Sequence, residues 1–309
     1  MDNNCKEKAE DNKDNDIIED QEKINNNDVR PPTHPKIKHI CFSGGGLKGM
    51  GFIGVYKALK ELDLLADPLE TIVGTSIGSF AGLLLLLGYT PDELYSFITS
   101  FEYNQIKDFN FLNFLQNWGI ESGTKVVKFF SAFLNKKTNK HEITFKELYE
   151  LYPTKFTIVA SNLRTHTPVY FNHETSPDEP VIMTLRKSIS IPIFFTRIYD
   201  NPTGDCWVDG GLLDNFPIKQ CPDSKSTLGI CFKDTAQEYK NDSLEEYLLN
   251  IFSSLFTVNS KKDIDSIKDS RILMIDPANC NGFNFYSTPD DRQKIYDCSY
   301  KATINFFDN

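Results

Sequence analysis

A serine between two glycines is the first group in this chain whose type and setting could do chemistry. The stretch Gly74-Thr75-Ser76-Ile77-Gly78 fits the pattern G-x-S-x-G and lies between the apolar residues of ETIV and those of FAGLLLLL. A sharp turn between a strand and a helix would present the Ser76 hydroxyl at the edge of a sheet, as a nucleophile elbow does. A chance glycine-rich turn fits the same letters, but the strand-turn-helix setting favours a nucleophile.

A glycine-rich loop earlier in the chain could supply the donors that such a nucleophile needs. In CFSGGGLKG, Gly44, Gly45, Gly46 and Gly49 surround Lys48, just before residues with a helical pattern. Attack by a serine on a carbonyl creates an oxyanion, which preorganised N–H groups stabilise. Glycines present N–H groups without side chains in the way, and the start of a helix adds partial positive charge. The loop is therefore a candidate oxyanion hole.

The same loop also fits two phosphate-binding patterns, which the surrounding sequence disfavours. GGGLKG matches G-x-G-x-x-G, and a dinucleotide site places an acidic residue about 20 residues further on. That residue could only be Asp67 or Glu70, and both precede the strand ETIVG instead of ending one. A P-loop requires a lysine followed by Ser or Thr, whereas Gly49 follows Lys48.

The general base of a hydrolase is most often a histidine, and none of the five histidines lies in a recognisable motif. His166 and His173 flank the predicted strand PVYF and are the only two whose positions suit a base. The others, in the N-terminal tail, in the first strand and in a Lys/Asn-rich loop, are His34, His39 and His141.

An aspartate ends the apolar strand CWV and is followed by two glycines, Asp209-Gly210-Gly211. Asp-Gly is common in turns and caps, so this stretch alone indicates no more than a turn. The order of the three stretches, GGGLKG, then GTSIG, then DGG, carries more information than any of them singly.

In this order the three stretches resemble the motifs of the patatin-like phospholipase family, over about residues 37–218. The resemblance implies a Ser-Asp dyad that works without histidine, with Ser76 as the nucleophile and Asp209 as the base. It also implies that the glycine-rich loop with Lys48 forms the oxyanion hole. Ser43 stands where many members have Asp, and other members have Ser there.

A fourth block, LRKSISIPIFFTRI, resembles the serine-containing segment that precedes the aspartate in this family. The resemblance implies that three of its residues line the site structurally: Ser188, Ser190 and Pro192. The fold that it implies is a three-layer α/β fold, with a mostly parallel central sheet and helices on both faces.

An aspartate must be perturbed to serve as the base of such a dyad. Its ordinary pKa of about 3.9 makes it a poor acceptor for a hydroxyl proton, and burial would raise that pKa towards a useful value. We then expect Ser76 to attack an ester carbonyl, an acyl-enzyme to form, and water activated by Asp209 to hydrolyse it. This chemistry needs neither a metal nor a cofactor.

The elements that must position these residues alternate along the chain. Strands are predicted at IKHICF, ETIVG, KFTIVASNL, PVYF, CWVDGG, STLGICF and RILMID. Helices are predicted through MGFIGVYKALKELDLL, IGSFAGLLLLLG, PDELYSFITSF, EPVIMTLRKSI, LEEYLLNIFSSLFTV and RQKIYDCSYKATINFF, with aromatic-rich helices in much of residues 105–152. This alternation independently predicts an α/β layer fold with a largely buried sheet.

Composition divides the chain into a tail and one domain. Residues 1–35 are polar, and residues 1–30 hold ten acidic and five basic side chains, so we expect a disordered acidic tail. Residues 36–309 contain no linker-like stretch and are predicted to form one patatin-like phospholipase domain.

Charge and hydropathy limit the classes of binding partner and the cellular locations that suit this chain. The net charge of −10, without a basic block, argues against nucleic acid. The sequence shows no signal-peptide core and no apolar run long enough for a bilayer span. The seven cysteines lack C-x-x-C spacing and suggest reduced thiols. These features predict a cytoplasmic protein, with peripheral contact at membranes.

The substrate is predicted chiefly by the resemblance, which implies a lipid acyl hydrolase of the phospholipase A type, acting transiently at a membrane or lipid-droplet surface. Two aromatic-rich stretches, FEYNQIKDFNFLNFLQNW and YLLNIFSSLFTV, could line an acyl groove or contact lipid, although core packing accounts for most such residues. Triacylglycerol lipase or lysophospholipase activity fits the same residues. A catalytically silent lipid-binding or storage protein is the alternative from another class, and intact Ser76 and Asp209 argue against it.

Overall fold

A mostly parallel β-sheet forms the centre of the protein. The computed structural model describes residues 34–101, 107–108, 116–233, 244–277 and 288–308. The predicted acidic tail therefore lies outside the described residues, apart from its last two positions.

The described strands include every strand predicted from the sequence and three short additional ones. They are β1 (His39–Phe42), β2 (Thr71–Thr75), β3 (Gly119–Glu121), β4 (Lys155–Asn162), β5 (Thr167–Phe171), β6 (Ile193–Phe195), β7 (Ile198–Tyr199), β8 (Cys206–Asp209), β9 (Thr227–Phe232) and β10 (Arg271–Ile275). The additional strands are β3, β6 and β7. With two or three residues each, they are too short to show a period in the sequence.

The helices alternate with these strands. They are α1 (Gly51–Glu61), α2 (Ile77–Leu86), α3 (Pro91–Ser100), α4 (Thr124–Thr138), α5 (Phe145–Leu151), α6 (Val181–Ser188), α7 (Leu244–Ile264) and α8 (Pro289–Asp308). Short 3₁₀ turns cover Gly46–Met50, Gly210–Leu212 and Ile218–Gln220. Among these described helices, none combines the length and the apolar character that crossing a bilayer requires.

The strand order of the main sheet is β10-β9-β1-β2-β4-β8-β7, and β5 also pairs with β4. The pairs from β10 to β4 are parallel, whereas β5, β7 and β8 pair in antiparallel fashion. Every residue of β1 and β2 is buried, so both faces are covered at the centre of the sheet. The predicted α/β fold with a mostly parallel sheet is confirmed.

The register of the sheet brings the ends of two distant strands together. In the parallel pair of β2 and β4, Thr75 lies opposite Val159. In the antiparallel pair of β4 and β8, Ala160 lies opposite Asp209. Because Val159 and Ala160 are neighbours, the residue after β2 and the last residue of β8 meet across the middle of β4.

Two helices, α3 and α5, begin directly after a threonine that caps the helix. At α3 the Thr90 side chain accepts the Glu93 amide, the Glu93 carboxylate accepts the Thr90 amide, and Pro91 opens the first turn. Thr144 and Glu147 form the same capping box at α5. The helix start predicted at Pro-Asp-Glu is confirmed.

The described fold begins slightly before the predicted domain boundary. The His34 ring lies edge-on to Phe307, and its Nε2 forms a 2.8 Å hydrogen bond with the Phe307 carbonyl. Arg271 donates to the Pro35 carbonyl at 3.2 Å. Two residues assigned to the tail by composition therefore pack on the domain. That residues 36–309 form one catalytic domain stays a prediction.

Candidate active site

Ser76 lies in the sharp turn between β2 and α2. Its backbone has φ 54° and ψ −127°, a combination that non-glycine residues rarely adopt and that is strained. The structure thus places Ser76 in the strand-turn-helix setting that the G-x-S-x-G pattern predicts. Its side chain stands at the N-terminal end of α2, where the helix dipole favours negative charge.

Two glycines make this turn possible, because another stretch of backbone passes too close to each of them to leave room for a Cβ. A Cβ on Gly74 would lie 2.5 Å from the carbonyl carbon and oxygen of Gly78. A Cβ on Gly78 would lie 2.7 Å from the Phe42 carbonyl oxygen and would also collide with that of Ser43. The turn therefore packs tightly against itself and against the end of β1.

Ser76 and Asp209 form a buried hydrogen-bonded pair. The Ser76 Oγ donates to Asp209 Oδ2 at 2.7 Å, and the two residues are 6% and 0% exposed. The other carboxylate oxygen, Oδ1, accepts the Gly211 amide at 2.8 Å. A serine nucleophile and its base require a contact of this kind between a hydroxyl and a proton acceptor.

The surroundings of Asp209 bring its pKa to a value suited to that task. Burial raises the pKa of Asp209 to about 7, while the hydrogen bonds from Ser76 and Gly211 act in the opposite direction. A general base is most effective when its pKa lies near the working pH. The carboxyl can therefore exchange a proton near neutral pH.

The end of α6 and the residues directly after it support both Ser76 and Asp209. Ser188 Oγ accepts the Ser76 amide at 2.8 Å and donates to the Val159 carbonyl at 2.5 Å. The Ser190 carbonyl accepts the Asp209 amide at 2.9 Å. Residues 188–190 thus fix the backbone of Ser76 and of Asp209. Pro192, just after this stretch, is half-buried.

Arg186 is a buried cation near the end of α6, and the sequence analysis did not single it out. Its guanidinium donates to Ser190 Oγ at 2.5 Å and to the carbonyls of Thr196 and Ser122 at 2.9 and 3.0 Å. Burial lowers the pKa of Arg186 to about 10. Its signal in the sequence is a lone charge on the otherwise apolar side of EPVIMTLRKSI. The side chain holds the Ser188–Ser190 segment against β3 and β6.

The glycine loop reaches the same place from the end of β1. The Gly44 amide donates to the Asn215 carbonyl at 2.9 Å, and the Lys48 amide donates to the Gly45 carbonyl at 3.2 Å. Gly46 has a φ of 55°, which favours glycine. The loop is thereby anchored at Gly44 and turns tightly at Gly45 and Gly46.

An apolar cavity of about 160 Å³ lies against Ser76. Gly46 and Gly49 line it beside Ser76, and most of the remaining wall consists of aliphatic and aromatic side chains from α1, α2, α3 and α4. Of the two aromatic stretches considered above, the first contributes Phe101, whereas the described residues of the second are not part of the wall. Ser76 therefore faces a space suited to hydrocarbon.

The described histidines either contact residues other than Ser76 or are exposed. His39 Nδ1 lies 3.2 Å from Thr71 Oγ1, and His141 is exposed before α5. His166 lies in the exposed turn between β4 and β5. The His173 ring stacks on Tyr149 with 3.7 Å between ring centroids. The group in contact with Ser76 Oγ is a carboxylate.

Comparison with known proteins identifies the class. A family model described as patatin-like phospholipase matches residues 40–222. Because this match spans more than half of the chain, the chain belongs to the patatin-like phospholipase family. The predicted family is confirmed, and the residues proposed as its dyad lie in the matched region.

Individual relatives agree with this family. A probable lipid hydrolase of Invertebrate iridescent virus 6 is 31% identical, over 59% of this chain and 62% of its own length. A cGAMP-activated phospholipase of Escherichia coli is 24% identical, over 72% of this chain and 64% of its own. The chain thus matches less than two thirds of the length of either relative. Their names describe a lipid hydrolase and a phospholipase, in agreement with the predicted class of enzyme.

A solved structure shares the fold. The crystal structure of VipD from Legionella pneumophila aligns with a TM-score of 0.59 at 16% identity. The alignment covers 89% of this chain and 67% of that chain. The shared architecture therefore extends well beyond residues 40–222, into the C-terminal part without sequence motifs.

Proposed function

We propose that this chain hydrolyses fatty-acyl esters of phospholipids, with Ser76 as the nucleophile and Asp209 as the base. The observation that carries the proposal is the 2.7 Å hydrogen bond from Ser76 Oγ to Asp209 Oδ2, in a buried turn beside an apolar cavity. Membership of the family and the names of the relatives support the same reaction.

The reaction follows from this contact in two halves. Asp209 takes the Ser76 proton as Ser76 Oγ bonds to the ester carbonyl carbon, and it returns that proton to the departing alcohol oxygen as the ester bond breaks. In the second half Asp209 takes a proton from water as the water oxygen bonds to the acyl carbon. The proton then returns to Ser76 Oγ as the fatty acid leaves.

The glycine loop serves the oxyanion in this scheme. The Gly44 amide is engaged by the Asn215 carbonyl, so we assign the amides of Gly45 and Gly46 as donors. Preorganised donors of this kind contribute about 3–4 kcal/mol each in one hydrolase. Lys48, in the 3₁₀ turn that follows, adds positive charge to the same end of the loop.

The cavity beside Ser76 accommodates the acyl chain in this proposal. Ile77, Ala81 and Leu85 lie at helical spacing on one side of α2, and all three line the cavity. Eight residues of α-helix rise about 12 Å, so the wall extends that far from Ser76. A medium or long acyl chain could therefore be held along α2.

The size of the side chain at position 81 should determine how long an acyl chain the cavity admits. Ala81→Phe places a ring midway along the wall, so we expect hydrolysis of a decanoyl ester to fall by about tenfold or more. Hydrolysis of a butyryl ester, whose chain ends before Ala81, should stay close to that of the parent protein. Initial rates on a series of chromogenic esters measure the effect.

The matched control is Ala132→Phe, the same substitution at an exposed position of α4. It should leave the whole acyl-length profile unchanged. A loss in Ala81→Phe that is equal for short and long esters would refute the assignment of the cavity to the acyl chain.

The rate should depend on pH through Asp209. A base must be unprotonated to act, and the pKa of Asp209 is raised to about 7. The value of kcat/KM for a soluble ester should therefore rise with pH, reach half its maximum near pH 7, and fall about tenfold per unit below that pH. The measurement is a rate profile from pH 5 to pH 9.

Asp214 is the control for this profile because it also titrates nearby. Burial raises the pKa of Asp214 to about 6, and its Oδ2 accepts the Tyr170 hydroxyl at 2.7 Å. Asp214→Asn should keep the midpoint near pH 7. A midpoint below pH 5 in the parent protein, or one that disappears in Asp214→Asn, would contradict the role of Asp209.

The outer face of α7 supports contact with a phospholipid surface. Four exposed apolar side chains recur every three or four residues along this helix: Tyr247, Ile251, Leu255 and Val258. The buried side of α7 packs on the turn after the base, with Phe256 against Gly211. Because a net charge of −10 gives little attraction to anionic lipid, apolar contact is the suitable mode of binding. The cytoplasmic location stays a prediction.

Product analysis from mixed phospholipid and triacylglycerol vesicles tests the function. The intact protein should release fatty acid and lysophospholipid, and Ser76→Ala should release neither. Fatty acid from triacylglycerol alone, or from added lysophospholipid alone, would replace the proposal by a lipase or a lysophospholipase. Binding to the vesicles without any product would indicate a lipid-binding protein.

A further inference from the structure

Asn215 carries a buried oxygen that has no hydrogen-bond partner. The residue is 7% exposed, and its Oδ1 accepts no hydrogen bond from the described residues. Its Nδ2 donates to Ser260 Oγ of α7 at 3.0 Å, and its backbone carbonyl accepts the Gly44 amide. The residue is thus held through its side-chain nitrogen and through its backbone, while Oδ1 remains unsatisfied. Buried polar atoms in this state are rare and call for an explanation.

The unsatisfied oxygen lies next to the proposed dyad. A Cβ on Gly211 would lie 2.7 Å from Asn215 Oδ1 and 3.0 Å from Asp209 Oδ1. A Cβ on Gly44 would collide with the same Asn215 oxygen and would lie 3.5 Å from the Ser76 Cβ. The oxygen therefore lies beside both glycines that border Ser76 and Asp209.

The donor groups around this oxygen already form hydrogen bonds with other acceptors. Ser76 Oγ donates to Asp209 Oδ2, the Gly211 amide donates to Asp209 Oδ1, and the Gly44 amide donates to the Asn215 backbone. Because none of the described residues donates to Asn215 Oδ1, a molecule that enters the site can supply the donor. A water molecule has two hydrogens, and here it would find two acceptors, one on Asp209 and one on Asn215.

We propose that Asn215 Oδ1 positions the water that hydrolyses the acyl-enzyme, an inference that rests on the proposed function. Once Ser76 Oγ carries the acyl group, it no longer donates to Asp209, and water takes that place. One water hydrogen bonds to Asp209 and the other to Asn215 Oδ1, which leaves a lone pair for the acyl carbon. As the new C–O bond forms, Asp209 takes its proton and Asn215 keeps only a hydrogen bond.

This arrangement distinguishes water from an alcohol as the second nucleophile. Methanol has a single O–H hydrogen, which Asp209 accepts, so methanolysis makes no use of Asn215 Oδ1. Loss of this oxygen should slow hydrolysis of the acyl-enzyme and spare methanolysis. Formation of the acyl-enzyme should change little because no water takes part in it.

The experiment measures how the acyl-enzyme partitions between the two nucleophiles. The full chain is given a chromogenic butyryl ester in buffer with added methanol, and methyl butyrate and butyric acid are quantified. In Asn215→Ala the ratio of methyl ester to acid should rise about tenfold, which corresponds to 1.4 kcal/mol. The initial burst of chromophore should keep its rate, within about twofold, and grow towards one equivalent as deacylation slows.

Asn259→Ala is the matched control. Asn259 also lies on α7, and its Nδ2 donates to the Leu212 carbonyl, in the 3₁₀ turn after Asp209, at 3.0 Å. Because this contact does not involve Asn215 Oδ1, loss of the Asn259 amide should leave the product ratio unchanged. Ser260→Ala removes the hydroxyl that fixes the Asn215 amide, and it should shift the ratio in the same direction as Asn215→Ala. This second variant decides the matter if Asn215→Ala does not fold.

Two outcomes would overturn the inference. An unchanged ratio in a folded Asn215→Ala or in Ser260→Ala would show that the water does not bind at Asn215. Equal slowing of the burst, of hydrolysis and of methanolysis would show that Asn215 only supports the dyad. Failure of the proposed function is distinguishable, because the parent protein itself would then give neither a burst nor methyl ester that depends on Ser76.

Discussion

Ser76→Ala and Asp209→Asn should each lower ester hydrolysis by at least about 10⁴-fold, while the protein stays folded. The reason is the single hydrogen bond from Ser76 Oγ to Asp209 Oδ2 at 2.7 Å. Without the hydroxyl there is no nucleophile, and without the carboxylate its proton has no acceptor. The measurement is the initial rate on a chromogenic short-chain ester, with circular dichroism as the test of folding.

Three further variants complete this prediction. The double variant of Ser76 and Asp209 should lose no more activity than either single variant, because the pair acts as one unit. His166→Ala and His173→Ala should each stay within a few-fold of the parent rate. Loss of a general base typically costs about 10²–10⁴-fold, so a collapse in either histidine variant, with Asp209→Asn still active, would replace the dyad by a Ser-His mechanism.

Gly78→Ala should lower both activity and stability more than other glycine substitutions in α2. Its Cβ would press on the carbonyl oxygens of Phe42 and Ser43, which are backbone atoms of a buried strand end. The turn that carries Ser76 must then move, and a misplacement of about 1 Å can cost about 10²-fold in rate. We expect at least that loss, together with about 1–3 kcal/mol of destabilisation, measured by ester hydrolysis and thermal melting.

Gly82→Ala provides the comparison within the same helix. Its Cβ would meet side-chain atoms, Ile72 Cγ2 at 2.8 Å and Phe156 Cε2 at 3.1 Å, which can shift more readily than backbone. It should lower the melting temperature and leave turnover within a few-fold. Equal turnover in Gly78→Ala and Gly82→Ala would contradict the claim that the crossing at Gly78 positions the nucleophile.

The parts of the site that the sequence predicted are those encoded in short contiguous stretches. The turn at Ser76 follows from an apolar strand, two glycines and an apolar helix. The stretch Asp209-Gly210-Gly211 indicates by itself only a turn, and the order of the three glycine-containing stretches, with the family that they resemble, singled out Asp209. The sheet register then brings Ser76 and Asp209 to the middle of β4. Their catalytic roles remain the proposal that the experiments above test.

The parts that the sequence did not predict depend on contacts between distant residues. Asn215 stands in DNFP, which has the pattern of a turn, and its amide is fixed by Ser260, 45 residues later in the chain. Arg186 binds the carbonyls of Ser122 and Thr196, which directly follow β3 and β6. The cavity lies between four helices, and no single helix shows it in its own pattern.

The C-terminal part, residues 219–309, carries no family motif, yet it contributes to the same structure. It supplies β9 and β10 to the main sheet, and α8 packs on α1, where a Cβ on Gly54 would collide with the Tyr296 carbonyl. Phe232 lies against Gly45, and Phe256 lies against Gly211. Aromatic packing of this kind leaves no short pattern in the sequence, and for that reason motifs could not assign this region.

The most direct test of the central claim, that Ser76 is a nucleophile activated by Asp209, is labelling with a fluorophosphonate followed by mass spectrometry of the intact protein and of its peptides. We expect one adduct per chain, located on Ser76, absent from Ser76→Ala and strongly reduced in Asp209→Asn at neutral pH. An adduct on another serine, or hydrolysis that persists in Ser76→Ala without any adduct, would contradict it.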